Sequence, residues 1–387
     1  MPPILIDLSR LLDRKLLGRN PTGIDRVSLA YVHHYGTDAR AVLCLGSRAL
    51  TLSRRESKRC FDLLLGKRSG GTLAILQSWA SALARGWWHY EVNGHLLLNT
   101  GHMGLEKPWY AARLRKSGTR LICVVHDLIP ITHPEYCRPG RRERHIERMR
   151  NVARFASGVI VNSRHTLQTL EAFCYEVGLK TPPTVVAPLG INLPALASDR
   201  APVKEPYFVV LGNIEPRKNH WMLLQLWRQL IDRRGPGASR LVVIGQRAWE
   251  CENVVDLLER CQALRGFVLE HASCGDEELV NTLRHARALL YPSFVEGFGL
   301  PIAEALSLGV PVIASDLPVF REFAGDVPDY ADPLDGRRWL DLIEDYARPN
   351  SARRAAQLAR MPHFVAPTWE QHFERVDRLL VELGPGK

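Results

Sequence analysis

Nowhere in the 387 residues does an apolar run approach the roughly 20 residues that a membrane-spanning helix needs. The chain is therefore expected not to cross a bilayer. Its opening, MPPILIDLSRLLDRKLL, sets Asp7 inside the first apolar stretch and has no small-residue cleavage site. It reads as a buried strand over residues 4–7 rather than a secretory signal. The eight cysteines (44, 60, 123, 137, 174, 251, 261 and 274) form no C-x-x-C pair and no metal-ligand spacing with histidine. That argues against a disulfide framework or zinc module and for the reduced thiols of a cytoplasmic protein. No segment repeats at a fixed period, and the 29 Gly and 25 Pro are scattered, which excludes solenoid, collagen-like and low-complexity classes. Acidic residues are scarce in one half only. Residues 1–200 hold 29 Lys and Arg against 15 Asp and Glu, whereas residues 201–387 hold 22 against 26. The basic half therefore expects a polyanionic partner or a solvated basic surface.

What is present is a soluble-type balance, 46% hydrophobic and 24% charged, in a chain long enough for two cores. Short β-branched runs alternate with helix-like segments. ILIDL, AVLCL, LLLNT, LICVV, GVIVNS and TVVAP occupy the first half; YFVVLG, RLVVIG, GFVLEH, ALLYPS and PVIAS occupy the second. Near-continuous apolar strands between amphipathic helices predict parallel sheets covered on both faces. The Pro-rich, aperiodic stretch at 191–205 marks a linker between the two series. After Thr368, the residues Trp369, Phe373, Val376, Leu379 and Leu380 form one stripe of a closing helix. Two doubly wound lobes put ligands beyond the carboxyl ends of their strands.

Two strand ends in the second half carry suitable chemistry. After YFVVLG come Gly212, Asn213 and the adjacent cations Arg217 and Lys218, matched to a diphosphate by a guanidinium fork and a compact charge. After ALLYPS, which ends in Ser293, come Glu296, Gly297, Phe298, Gly299, Leu300 and Pro301, then a helix carrying Glu304. A proline at a helix start and glycine-flanked amides favour anionic and sugar oxygens. The Glu296–Glu304 interval is not itself the signal, because Glu135/Glu143, Glu270/Glu278 and Glu374/Glu382 share it. The signal is the ensemble of strand, Ser, Glu, Gly-Phe-Gly, Leu-Pro and Glu-Ala, followed by the residues 309–315, GVPVIAS.

With these segments the chain closely resembles glycosyltransferase family 4, the retaining enzymes of GT-B fold, through most of its length and most strongly over residues 206–325. The resemblance implies an α/β, GT-B architecture of two Rossmann-like doubly wound domains facing each other across a cleft. An acceptor-binding domain would span 1–190, the linker 191–205, a nucleotide-sugar-binding domain 206–366, and a helix at 367–387 would pack back on the first domain. Arg217 and Lys218 would neutralise the donor diphosphate, and Glu304 would hold the ribose. Glu296, with the amides of Phe298, Gly299 and Leu300, would hold the transferred sugar; Gly212, Asn213 and Ser293 complete the donor loops. In the first half, Thr22–Val27 resembles the family's glycine loop, with the single Gly23 where members often carry two. His126, at the end of LICVV, resembles the family's active-site histidine. Asp25, Arg26, Asp127 and Ser163 would lie on the acceptor side. Where members often have a glycine facing the base, this chain has Glu270-His271-Ala272-Ser273-Cys274, which makes His271 a donor-side candidate.

The implied activity is retaining transfer of a hexose or deoxyhexose, with a lean to mannose from GDP-mannose, onto a glycan or polyprenyl-diphosphate-linked acceptor. The setting would be bacterial surface polysaccharide (O-antigen, lipopolysaccharide or capsule) at the inner face of the cytoplasmic membrane. No Asp-x-Asp occurs, and the expected cofactor and metal content is none, the protein's own cations serving the leaving group. The basic half would meet anionic lipid through Arg141, Arg142, Arg144, Arg148 and Arg150, with 141, 144 and 148 on one helical face, and through Arg85-Gly86-Trp87-Trp88. Two rival readings stand beside this one. A GT-B sugar-nucleotide epimerase would need no acceptor. A non-enzymatic membrane or nucleic-acid scaffold would leave the donor loops without a purpose, and the sequence lacks the stacking motifs of RNA binders, so nucleic acid is not an expected partner.

Overall fold

The computed structural model describes residues 3–19, 21–45, 48–68, 92–194 and 200–384. The chain divides into two compact units, one of residues 1–132, 140–189 and 368–387, the other of 133–139 and 190–367. The Arg85–Trp88 segment lies outside the described residues.

The first unit holds β1 (Ile4–Asp7), β2 (Arg40–Leu45), β3 (Arg48–Thr51), β4 (Leu96–Asn99), β5 (Arg120–Val125), β6 (Ala156–Val161) and β7 (Thr184–Val186). They form one sheet in the order β3-β2-β1-β4-β5-β6-β7, parallel except for the β2–β3 hairpin. The second unit holds β8 (Tyr207–Leu211), β9 (Arg240–Ile244), β10 (Val268–His271), β11 (Leu289–Tyr291), β12 (Val312–Ser315) and β13 (Asp329–Ala331), ordered β10-β9-β8-β11-β12-β13 and parallel throughout. All eleven runs read from the sequence are strands. Among the described residues it missed β3 and β13, edge strands of four and three residues, too short to show a period.

Central strands such as β1, β4 and β12 are buried along their whole length, which is why their sequences run apolar without alternation. In the second unit one face of the sheet packs on Trp227 and Trp339 and the other on Phe320. In both sheets the strand order reverses beside the first strand of the unit. The crevices lie between β1 and β4 and between β8 and β11, where open α/β sheets receive ligands.

The closing helix, Trp369–Glu382, belongs to the first unit. Its Phe373 stacks on His34 (3.9 Å between centroids, 3° apart), and Tyr35 donates to Asp377 at 2.6 Å. His372 is buried; its Nδ1 faces the carbonyls of Ala187 and Pro188, both at 3.1 Å, so Nδ1 carries the proton and Nε2 accepts from Tyr31 at 3.0 Å. Gly158 leaves room for this helix end, since a Cβ there would lie 2.5 Å from Leu383 Cδ1.

The basic helix Arg141–Phe155 corrects one expectation. Arg141, Arg142 and Arg144 are exposed, but Arg148 is 16% exposed and bonded to Glu106 at 3.0 Å. It lies on the side that buries His145, Met149 and Val152. Arg150 pairs with Glu147 at 3.0 Å. The helix turns inward by 148, so this arginine is committed to packing and not to a surface shared with 141 and 144.

Burial lowers His372 from 6.5 to about 4. Because the folded value is the lower one, the unfolded chain binds the proton more readily. This contribution to stability is whole above pH 6.5 and is lost as pH falls through about 4. Urea midpoints should therefore drop between pH 7 and pH 5, and His372→Gln should flatten part of that slope. A slope unchanged in the variant would count against a buried neutral His372.

Candidate active site

At the reversal of the second sheet, the loop after β8 begins with Gly212 at φ 138°, a left-handed conformation that favours glycine. A Cβ there would also press Lys218 Cε at 3.1 Å. The loop then makes a 3₁₀ turn over Pro216–Lys218 and enters the helix His220–Arg234 through Asn219, itself left-handed at φ 55°. Asn219 is held by a bond from its amide to the Pro333 carbonyl at 2.9 Å. The turn points Arg217 and Lys218 at the loop after β11.

There Glu296 takes both cations. Arg217 Nη1 lies 2.7 Å from Glu296 Oε2 and Lys218 Nζ 2.5 Å from Oε1. Arg217 Nε reaches Glu215 at 2.6 Å, while Lys218 also donates to the Tyr291 hydroxyl at 2.6 Å and lies 4.4 Å from that ring's centroid. The loops are laced through the main chain as well: Phe294 N–H donates to the Arg217 carbonyl at 2.8 Å, and Arg217 Nη1 to the Val295 carbonyl at 3.3 Å. Lys218, Glu215 and Glu296 are buried, and Arg217 is one-fifth exposed.

The electrostatics follow from this packing. Burial by itself would raise the Glu296 carboxyl, but Arg217 and Lys218 outweigh it and hold the group at about 2. For Glu215 burial prevails over Arg217 and Lys218 and its carboxyl is pushed up. Burial also lowers the Lys218 ammonium despite Glu296. His220, next in the chain, is brought down to about 3 by burial and then by Lys218, and its ring nitrogens find no hydrogen-bond partner among the described residues.

Beyond Glu296 the chain passes Phe298, stacked on Phe323 at 4.9 Å, and reaches Gly299 at φ 110°. A Cβ on Gly299 would sit 2.8 Å from the Phe320 ring. Gly299 caps the helix Leu300–Ser307, with Pro301 in its first turn and Glu304 buried one turn in. Ser293 and Ser315, at the ends of neighbouring strands, are fully buried, and their hydroxyls lack partners among the described residues. Asn213 adjoins Gly245, where a Cβ would fall 2.0 Å from the Gly212 carbonyl. His271 is set apart from these residues. It ends β10, two strands from β8, and its carbonyl accepts from Gly245 N–H at 3.0 Å. Glu215, Tyr291 and His220 belong to the cluster but were not read from the sequence. The only signal was their adjacency to the cations and to the strand end.

In the first unit several candidates turn out to be occupied in local structure. Asp25 is buried; its carboxylate takes Thr22 N–H and hydroxyl, both at 2.7 Å, with Arg10 and Arg14 each at 2.8 Å. This is a capping box with two cations on it, so the carboxylate that the resemblance puts on the acceptor side is engaged in local structure. Gly23 is the first residue of that helix and Arg26 is exposed upon it. Ser163 is likewise a cap, accepting from Thr166 N–H at 3.0 Å. Asp127 accepts from Ile129 N–H at 3.0 Å. His126 is buried and donates Nε2–H to the Thr100 carbonyl at 2.8 Å, which leaves Nδ1 as the acceptor. Burial lowers its pKa, so the ring is neutral. His102 and His145, missed in the sequence because they lie 24 and 19 residues from it, complete a trio with ring centroids 5.3 and 5.8 Å from neighbour to neighbour.

Removing the carboxylate should expose the cost of the paired cations. Glu296→Ala leaves Lys218 buried beside Arg217 and should destabilise the protein by about 3 kcal/mol in urea unfolding. Adding Lys218→Met should recover much of that loss. A single variant as stable as wild type would show that the bridge contributes little.

Residues 196–327 match the family described as glycosyl transferases group 1. The serotype-specific mannosyltransferase WbdA of Escherichia coli is 29% identical over 284 residues, covering 65% of this chain and 34% of that one. The O-antigen chain mannosyltransferase B of Escherichia coli is 32% identical over 225 residues, covering 56% of this chain and 58% of the relative. The chain thus spans from about a third to under three-fifths of the length of these two relatives. Among solved structures, that of Anabaena Alr3699/HepE in complex with UDP and glucose superposes with a TM-score of 0.70 at 17% identity, over 99% of this chain and 100% of that one. Residues 196–327, which carry the Arg217–Lys218–Glu296 cluster, are thus similar to the glycosyl transferases group 1, and the fold is α/β of the GT-B kind.

Proposed function

We propose that the protein is a retaining, metal-independent glycosyltransferase that moves a hexose, mannose from GDP-mannose being the favoured case, onto a glycan or polyprenyl-diphosphate-linked acceptor in bacterial surface polysaccharide. The observation that carries the reading is one buried carboxylate holding two adjacent cations at the strand reversal of a group 1 domain. The mannose lean is supported by relatives named as O-antigen and serotype-specific mannosyltransferases.

On this reading the cations change partners. A bound diphosphate draws Arg217 and Lys218 onto its oxygens, and Glu296, released, accepts hydrogen bonds from hydroxyls of the transferred sugar. The bond from the anomeric carbon to the β-phosphate oxygen then breaks, and its electron pair stays on that oxygen. The two cations stabilise the growing charge, the work a metal ion performs elsewhere. The acceptor hydroxyl bonds to the same face of the anomeric carbon and passes its proton to the departing phosphate oxygen. Neutral His126 is proposed to sit near the donor sugar as an acceptor through Nδ1.

A panel of GDP-, UDP- and dTDP-sugars, scored for nucleotide release with and without lipid-linked acceptor, tests the class. Transfer should need both substrates, whereas release or sugar isomerisation without acceptor would point to the epimerase. Arg217→Ala or Lys218→Ala should each lower turnover by roughly 10²–10³, and EDTA should leave the rate within about twofold. Wild-type turnover in both variants, or activity abolished by EDTA and restored by Mn²⁺, would overturn the cation-based mechanism.

The proposed location is the cytoplasmic face of the membrane, with exposed Arg141, Arg142 and Arg144 docking on anionic lipid, each worth about 1 kcal/mol near such a surface. No helix among the described residues is long and apolar enough to cross a membrane. Co-sedimentation with phosphatidylglycerol vesicles should weaken steeply with salt and fall when these three become Gln. Equal binding to neutral vesicles, or none, would defeat the docking.

A further inference from the structure

The segment His133–Pro139 is flanked in sequence by the first unit yet packs as part of the second. Its chemistry is aromatic. Tyr136 lies parallel to Phe294, 5° apart with centroids at 5.3 Å, and His133 lies beside Tyr136 at 6.2 Å and 12°. Trp249, from the loop after β9, donates its indole N–H to the Tyr136 carbonyl at 3.3 Å, and Arg138 covers the Trp249 ring at 5.4 Å. Neither Tyr136 nor Phe294 is fully buried, so the stack is not an extension of the core.

Phe294 is the residue through which this cluster reaches the site. Its N–H holds the Arg217 carbonyl at 2.8 Å, and two residues further on Glu296 grips both cations. Fixing the Phe294 ring therefore fixes the short stretch of main chain that aims Glu296 and steadies Arg217. Parallel aromatic contacts are strong enough to select one loop arrangement over alternatives, and preorganisation of this kind controls how well a charge-stabilising group performs. Burial, and then Glu135, push the Tyr136 hydroxyl up, so it stays protonated and adds no charge to the cluster.

We propose that Tyr136 is a positioning residue for Glu296 and Arg217, acting by stacking on Phe294 rather than through its hydroxyl. The proposal rests on the glycosyltransferase reading for its effect on turnover, but the contact itself is testable without that reading. In the whole chain of 387 residues, Tyr136→Ala should raise hydrogen exchange of the peptide containing Phe294 and Glu296 at least several-fold, with the core strands β8 and β9 unchanged. Against the donor found in the panel, the same variant should lower kcat/KM by roughly 3–10-fold, with the thermal midpoint preserved. Tyr136→Phe, which keeps the ring, should restore both readouts to within about twofold of wild type. Unchanged exchange in Tyr136→Ala would overturn the brace whether or not the chain transfers sugar. A Tyr136→Phe as impaired as Tyr136→Ala would overturn the stacking mechanism. Failure of the wild type on every donor would strike the glycosyltransferase reading alone and leave the exchange comparison to decide the brace.

Discussion

Two cations side by side in one turn share a single carboxylate from another loop, and the local architecture of the second unit serves that arrangement. Lys218 and Glu296 are each more than nine-tenths buried. An isolated charge at that depth is very costly, and only close pairing with further hydrogen bonds offsets it. Tyr291, Glu215 and the Val295 carbonyl supply those bonds. Gly212 and Gly299 adopt backbone that L side chains rarely tolerate, on either side of the bridge. Each also leaves space that a Cβ would fill, against Lys218 in one case and the Phe320 ring in the other.

The first unit places polar groups at its own strand reversal, but to a different end. Asp7, at the end of β1, accepts from Ser9 N–H at 2.9 Å, Tyr110 hydroxyl at 2.8 Å and Asn99 amide at 3.4 Å, all neutral donors. Burial pushes its carboxyl up, whereas Glu296, with two cations, is pulled down. A carboxyl satisfied by neutral hydroxyls and amides ties β1 to β4 and to the following helix. A carboxylate satisfied by cationic side chains has partners that another anion, on the proposed function, could compete for. The difference between a structural and an exchangeable buried acid thus lies in the charge of its partners.

Much of this was legible in the sequence. The strands read as apolar runs because both faces of each sheet are covered, and the Arg217–Lys218 and Glu296–Glu304 segments stood out because glycine, proline and charge meet at strand ends. What the sequence hid has identifiable causes. Asp25 and Ser163 looked chemical because the residue types that cap helices are also those that bind ligands. Their hydrogen bonds with Thr22 and Thr166 are visible only in the structure. Arg148 was assigned to the surface by helical spacing, but its neighbours His145 and Met149 turn that side inward. The segment 133–139 was placed with the first domain because contiguity in sequence was the only guide. Its partners, Phe294 by stacking and Trp249 by a hydrogen bond, lie more than a hundred residues away. The pairing of Glu296 with both cations was hidden for the same reason.

That pairing bears on how the proposed reaction balances stability against binding. The cluster sets Arg217 and Lys218 against Glu296, with Glu215 beside Arg217, and Glu296 thereby supplies negative charge of the kind a diphosphate would bring. Binding must then break two short ionic contacts, which sets the phosphate contacts against the loss of an existing bridge. A nucleoside diphosphate alone would draw off Arg217 and Lys218 and leave Glu296 buried without a replacement. An intact nucleotide sugar would offer it hydroxyls at the same moment. On the proposed function the bridge therefore favours the donor over the spent nucleotide. On the same reading, re-forming it after transfer would compete with the bound product and favour its release.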